Sequence, residues 1–244
     1  VGVSVAAALP RSFDINRMAV IDRKGIWAFL ALTFGITFVY EGCLVGSGMS
    51  MNFGLTSAGP TPPACAALLS GLAMWIPAVS AVIVVKFITK EGFGVTNLRI
   101  GALKPYAMSA LAIPAAFAVI YALTWLVGWA TPDWQLQSLR HALAARGIDT
   151  ASMPDPGMVL PAIFLASLVM GPAVNGLFGF GEEFGWRGYL LPKLMPLGKW
   201  QAYSLVGIIW GLWHAPLILA GFNYPGFPVL GVLAMIGMTT TFGV

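Results

Sequence analysis

The stretch GMVLPAIFLASLVMGPAVNGLFGFGEEFGWRGY, residues 157–189, decides how this chain is read. From Gly157 to Phe180 it carries no charge, and then Glu182, Glu183 and Arg187 arrive together. A run of about 20 apolar residues is long enough to cross the hydrocarbon core of a bilayer as a helix. An ionisable residue at the end of such a run is costly, and its default reading is function.

The rest of the chain has the same character. Of its 244 residues only 9% are charged and 58% are hydrophobic, with a mean hydropathy of +0.84. Such composition belongs to membrane proteins rather than soluble domains. Apolar runs fall at roughly 26–46, 64–88, 105–130, 157–180, 199–220 and 226–244. They are too long and too continuously apolar for alternating barrel strands, so they are expected to span as helices. The predicted fold is all-α: a polytopic transmembrane helix bundle of about six spanning helices, more if the native chain continues. Residues 26–244 then form one transmembrane domain, with the site region at 171–220, and residues 1–25 form an N-terminal segment.

The net charge of +4 reports orientation here, and no nucleic-acid partner is expected. Arg11, Arg17, Arg23 and Lys24 precede the first run. Lys86, Lys90, Arg99 and Lys104 surround the second link, and Arg187, Lys193 and Lys199 lie between the fourth and fifth runs. The opposite links hold only Arg140 and Arg146. By the positive-inside rule the N-terminus is cytoplasmic, in a multi-pass protein of the cell membrane, and the Glu-Glu-x-x-x-Arg segment lies near the cytoplasmic face.

Several polar or kink-forming residues are read as structural. Glu41, near the end of the first run, is expected at headgroup level. Pro77 and Pro114 are expected as tolerated kinks. Cys43 and Cys65, near the outer ends of the first two helices, are expected as small buried thiols in apolar helices, with a disulfide between them the alternative, and no cysteine spacing suggests a metal. Between Trp134 and Arg146, leucines at helical spacing suggest a short amphipathic surface helix, with His141 solvated.

The chemistry concentrates in two segments. In a helix, Glu183 and Arg187 lie one turn apart in the favourable order for an ion pair. Glu182 points about 100° away and is left without that partner. A partly desolvated carboxylate can take a proton from water and later hand it to a leaving amine. Farther on, Trp210-Gly211-Leu212-Trp213-His214-Ala215-Pro216 places a histidine in a rigid, water-poor setting.

Glu182-Glu183-x-x-x-Arg187 followed by Trp210-x-x-x-His214 resembles the CPBP (Abi) family of CAAX-processing and bacteriocin-processing intramembrane proteases, related to the Ras-converting endoprotease. The resemblance covers residues 170–220, with Trp210 in place of the more usual phenylalanine. It implies a peptidase acting through an activated water, on a peptide or protein substrate that is membrane-anchored in some members. Glu182 would be the general base, His214 would orient the water or stabilise the oxyanion, and Glu183 and Arg187 would support them. It leaves a divalent metal such as zinc open. The sequence leans against one, because zinc takes three protein ligands and only His214 and the two glutamates are evident.

The family's third motif, His-x-x-x-Asn on a later helix, has no counterpart after His214, which suggests that the native chain continues past Val244. The alternatives are a non-catalytic member serving as assembly factor or subunit of a larger membrane complex, and a proton-coupled transporter. The latter would need polar residues on more helices.

Overall fold

A computed structural model describes residues 21–49, 63–96, 98, 100–145 and 147–243. Arg11, Arg17, Arg99 and Arg146, most of the N-terminal segment and most of the first long loop lie outside the described residues.

The described secondary structure is helical throughout. It comprises α1 (Arg23–Gly46), α2 (Pro63–Ala73), α3 (Ile76–Ile83), α4 (Leu103–Leu126), α5 (Gln137–Ala144), α6 (Pro156–Glu183), α7 (Leu191–Leu194), α8 (Lys199–Trp213), α9 (Ala215–Leu219) and α10 (Pro228–Gly243). Wide turns of π-helix follow α3 at Val84–Ile88 and α6 at Phe184–Leu190. Four helical runs are long and apolar enough to cross a membrane: Arg23–Gly46, Leu68–Ile88, Leu103–Leu126 and Pro156–Leu197. α8 and α10 are apolar but shorter, at 15 and 16 residues. A helical membrane bundle is therefore the fold.

Two expected continuous helices are broken. The 64–88 run stops at Met74-Trp75 and restarts as α3 with Pro77 in its first turn. The 199–220 run stops at His214 and restarts as α9 with Pro216 in its first turn. Proline lacks the amide hydrogen that would continue the ladder, and its ring clashes with the preceding turn. Pro114, by contrast, is carried inside α4, as expected of a tolerated proline.

The chain divides into two compact units. The first contains α1, α2, α3, the end of α6 from Leu177, and α7 to α10. Its core is aromatic. Phe29 of α1 meets Trp186 edge-on, with ring centroids 5.5 Å apart, and Tyr189 at 5.2 Å. Trp186 meets Trp213 at 5.9 Å. Ala78, Ala81, Val84, Val85, Leu190 and Val206 fill the remaining space. Small residues let these helices approach closely: a side chain at Gly185 would collide with Pro77, and one at Gly211 with Ile236 of α10.

The second unit contains α4, α5 and the first part of α6. α4 buries none of its side chains, and apolar residues such as Leu111, Phe117 and Leu123 are exposed along it. So large an uncovered apolar surface suits lipid rather than water. α5 is the short amphipathic helix anticipated from the leucine spacing, and His141 is exposed. It starts at Gln137 because the Asp133 carboxylate accepts the backbone N–H groups of Gln137 and Ser138. Those bonds hold the Asp133 carboxyl below its ordinary value.

Cys43 and Cys65 are both free, but both are exposed rather than buried as expected. Glu41, expected at headgroup level, is 1% exposed. It lies on the inward stripe of α1, two turns from Thr33 and one from Thr37, which are buried with it. Its face on the helix, rather than its position along the chain, sets its surroundings.

Candidate active site

α6 delivers Glu182 and Glu183 in its final turn, and the chain then widens into the π-turn Phe184–Leu190. Such one-turn π segments are frequent at functional sites. Gly181, immediately before the glutamates, lies against Met74 and Trp75 at the α2–α3 break, with no room for a Cβ. The helix that carries the acids is thus pressed onto an interrupted neighbour.

The two carboxylates diverge as the 100° step requires. Glu182 is 5% exposed, whereas the Glu183 side chain is about half-exposed. Glu183 forms an ion pair with Arg187 one turn on. Arg187 also donates from Nη2 to the backbone carbonyl of Phe242 in α10 at 3.1 Å. Its guanidinium lies 4.9 Å from the centroid of the Trp210 ring. Arg187 therefore ties α6, α8 and α10 together.

Glu182 turns inward, where its Oε2 accepts the indole N–H of Trp210 at 2.5 Å. His214 occupies the α8–α9 break and places Nδ1 2.9 Å from the backbone carbonyl of Trp210. A carbonyl only accepts, so Nδ1 carries the hydrogen and Nε2 keeps its lone pair; the tautomer is assigned from this bond. The imidazole packs edge-on against Trp213 at 4.9 Å. Trp213 in turn donates its indole N–H to Thr37 of α1 at 2.7 Å.

The four residues singled out in the sequence, Glu182, Glu183, Arg187 and His214, are thus gathered around Trp210. No direct hydrogen bond joins Glu182 to His214 among the described residues; both are bonded to Trp210 instead. Sequence reasoning missed the bond from Trp210 to the carboxylate and the support that Thr37 gives Trp213. The Thr33-Thr37-Glu41 stripe, at a spacing of four in an apolar helix, was the available signal for the latter.

No three His, Cys, Asp or Glu side chains come together among the described residues in a way that would hold a metal ion. The described residues do not form the three-ligand set that zinc ordinarily takes. What the arrangement offers is a buried carboxylate with one oxygen engaged by an N–H, and an imidazole nitrogen fixed as an acceptor.

Residues 161–244 match the family described as Type II CAAX prenyl endopeptidase Rce1-like. That stretch includes Glu182, Glu183, Arg187, Trp210 and His214. The CAAX prenyl protease 2 of Methanococcus maripaludis is 29% identical over 103 residues, taking in 32% of this chain and 38% of that protein. The chain thus spans about two fifths of the length of the curated relative it matches. No solved structure matches it. Residues 161–244, the stretch that holds both motifs, are thus similar to the Rce1-like type II CAAX prenyl endopeptidases.

Proposed function

We propose that this protein is an intramembrane endopeptidase that hydrolyses a peptide bond with a water activated by Glu182, near the cytoplasmic face of the membrane. The observation that carries the reading is the buried Glu182 carboxylate, bonded on one oxygen and gathered with His214 around a single tryptophan. Glu182 takes a proton from the water as its oxygen attacks the scissile carbonyl carbon. The C–N bond of the tetrahedral intermediate then breaks, and the same proton passes to the departing nitrogen, leaving a carboxylic acid and an amine. His214 accepts a hydrogen bond from the water through Nε2 and so fixes its direction of approach. Arg187 offsets the charge of Glu183, keeping a second free negative charge away from the base.

The relative named a CAAX prenyl protease points to a membrane-anchored substrate cleaved close to its lipidated cysteine. The basic segments Arg23-Lys24, Lys86 to Lys104 and Arg187 to Lys199 support a cytoplasmic N-terminus by the positive-inside rule, the side on which such substrates lie. The test is cleavage of a prenylated CAAX peptide by the detergent-purified protein. Glu182→Gln should lower turnover by about 10²- to 10⁴-fold, the usual contribution of a general base, with the unfolding midpoint little changed. Cleavage at the wild-type rate by folded Glu182→Gln protein would defeat the assignment.

A further inference from the structure

We infer that Trp210 is the positioning residue of this site: through its indole N–H it holds the Glu182 carboxylate in the orientation that hydrolysis uses. The inference rests on the peptidase reading above for its kinetic consequence, but not for the hydrogen bond itself.

Three contacts converge on this one residue. The Nε1–H donates to Glu182 Oε2 at 2.5 Å, the backbone carbonyl accepts Nδ1–H of His214 at 2.9 Å, and the ring carries the Arg187 guanidinium at 4.9 Å. They differ in what a substitution removes. A phenylalanine, the residue more usual at this place in the resembling motif, keeps the carbonyl and a ring face for the arginine. It has no N–H to offer. The hold on Glu182 is therefore a property of the tryptophan in this chain, and Trp210→Phe deletes that one bond from an otherwise similar residue.

The bond matters because Glu182 is otherwise poorly constrained. Its neighbour Glu183 is engaged by Arg187, and among the described residues no other hydrogen-bond donor reaches Glu182. An N–H fixed by the aromatic packing of α8 holds Oε2 and so fixes which way Oε1 faces. A carboxylate free to rotate would spend only part of its time aligned with the water, and misplacement of about 1 Å can cost on the order of 100-fold in rate. Orientation of the base acts on turnover rather than on substrate binding, so the effect should appear in kcat with KM little changed.

Two measurements test this together. In cleavage assays, Trp210→Phe should lower kcat about 10- to 100-fold with KM within about twofold of wild type. A merely structural tryptophan would instead lower the unfolding midpoint and reduce kcat only in proportion to the folded fraction, which overturns the proposal. The second measurement needs no activity. Ultraviolet resonance Raman spectra report the hydrogen bonding of indole N–H groups, and Glu182→Leu should shift one tryptophan's N–H band toward the unbonded position. In the Trp210→Phe background the same substitution should shift none. A Glu182→Leu spectrum identical to wild type overturns the proposal even if cleavage is never observed. A shifted band without any wild-type cleavage keeps the Trp210–Glu182 bond and rejects the peptidase reading alone.

Discussion

Glu182 and Glu41 are equally hidden, at 5% and 1% exposure, and both sit in helices long enough to cross the membrane. Their surroundings differ. Glu182 has a donor on Oε2, a charge pair alongside and a histidine bonded to the same tryptophan. Glu41 Oε2 has no hydrogen-bond partner among the described residues, and its companions on α1 are Thr33 and Thr37. On the proposed reading, depth of burial therefore does not separate an acid poised for chemistry from one that is merely enclosed. A donor that fixes one oxygen and leaves the other free does.

The largest expected effect tests that contrast directly. Glu182→Gln should remove about 10²- to 10⁴-fold of the cleavage rate, whereas Glu41→Gln should change it by less than about threefold. A comparable loss from both, measured on folded protein, would break the distinction and make Glu41 part of the machinery. His214→Ala is expected next, at roughly 10²-fold in kcat, because on the proposed mechanism it removes a group that orients the water while leaving the base in place.

Arg187 should show a mixed effect. An exposed pair one helical turn apart contributes only about 0.3–0.5 kcal/mol, but Arg187 also bonds the Phe242 carbonyl and stacks on Trp210. Arg187→Ala should therefore cost about 1–2 kcal/mol of stability together with a loss of turnover. Glu183→Ala, which leaves the other two contacts in place, should cost less of both. Denaturant titrations in detergent beside the cleavage assay separate the two variants; equal losses would mean that the ion pair alone accounts for Arg187.

Glu41 offers the reverse sign. A buried polar atom left without a partner costs about 1–3 kcal/mol, and an apolar replacement of similar shape removes that cost. Glu41→Met should raise the unfolding midpoint, with activity retained. A more stable but inactive Glu41→Met protein would show that this carboxyl is kept for function at the expense of stability.

The membrane architecture was legible because an apolar run of spanning length has few alternatives, as in 26–46 and 157–180. The divergence of Glu182 from the Glu183–Arg187 pair was legible too, since a fixed step per residue decides which neighbours share a face. The breaks at Met74-Trp75 and His214 were not read, although Pro77 and Pro216 marked them. A proline can kink a helix or restart it, and packing against Gly181 and Gly185 is a tertiary matter. The burial of Glu41 was not read, because position along a helix estimates depth and says nothing about face. The Trp210–Glu182 bond joins residues 28 positions apart on different helices, and no local pattern encodes such a contact.

A third carboxylate sharpens the comparison from outside the spanning segments, with the smallest effect. Asp22 caps α1 by accepting the Gly25 N–H at 2.9 Å. Its Oδ2 accepts from Lys193 at 2.5 Å, while Glu91 accepts from the same ammonium at 2.6 Å. Burial pushes the Asp22 carboxyl upward, but the Lys193 hydrogen bond, the Gly25 N–H and the nearby positive charges outweigh it and hold it below its ordinary value. A group depressed in the folded state adds stability that is fully present above its unfolded value, about 3.9, and is lost as pH falls through the folded one. Because Asp22 is partly exposed and the ion pair is screened, the cap and the pair together should contribute only about 1 kcal/mol. Asp22→Ala should lower stability by about that amount at neutral pH, and its gap from wild type should narrow as the solution is acidified below about pH 4. Asp22→Asn, which keeps a capping oxygen but no charge, should lose less and show weaker salt dependence. Hydrogen exchange at the Gly25 amide reads the change locally. A gap that stays constant from neutral to acid pH would mean that Asp22 acts through its shape at the helix start and that its charge has no part in what it stabilises.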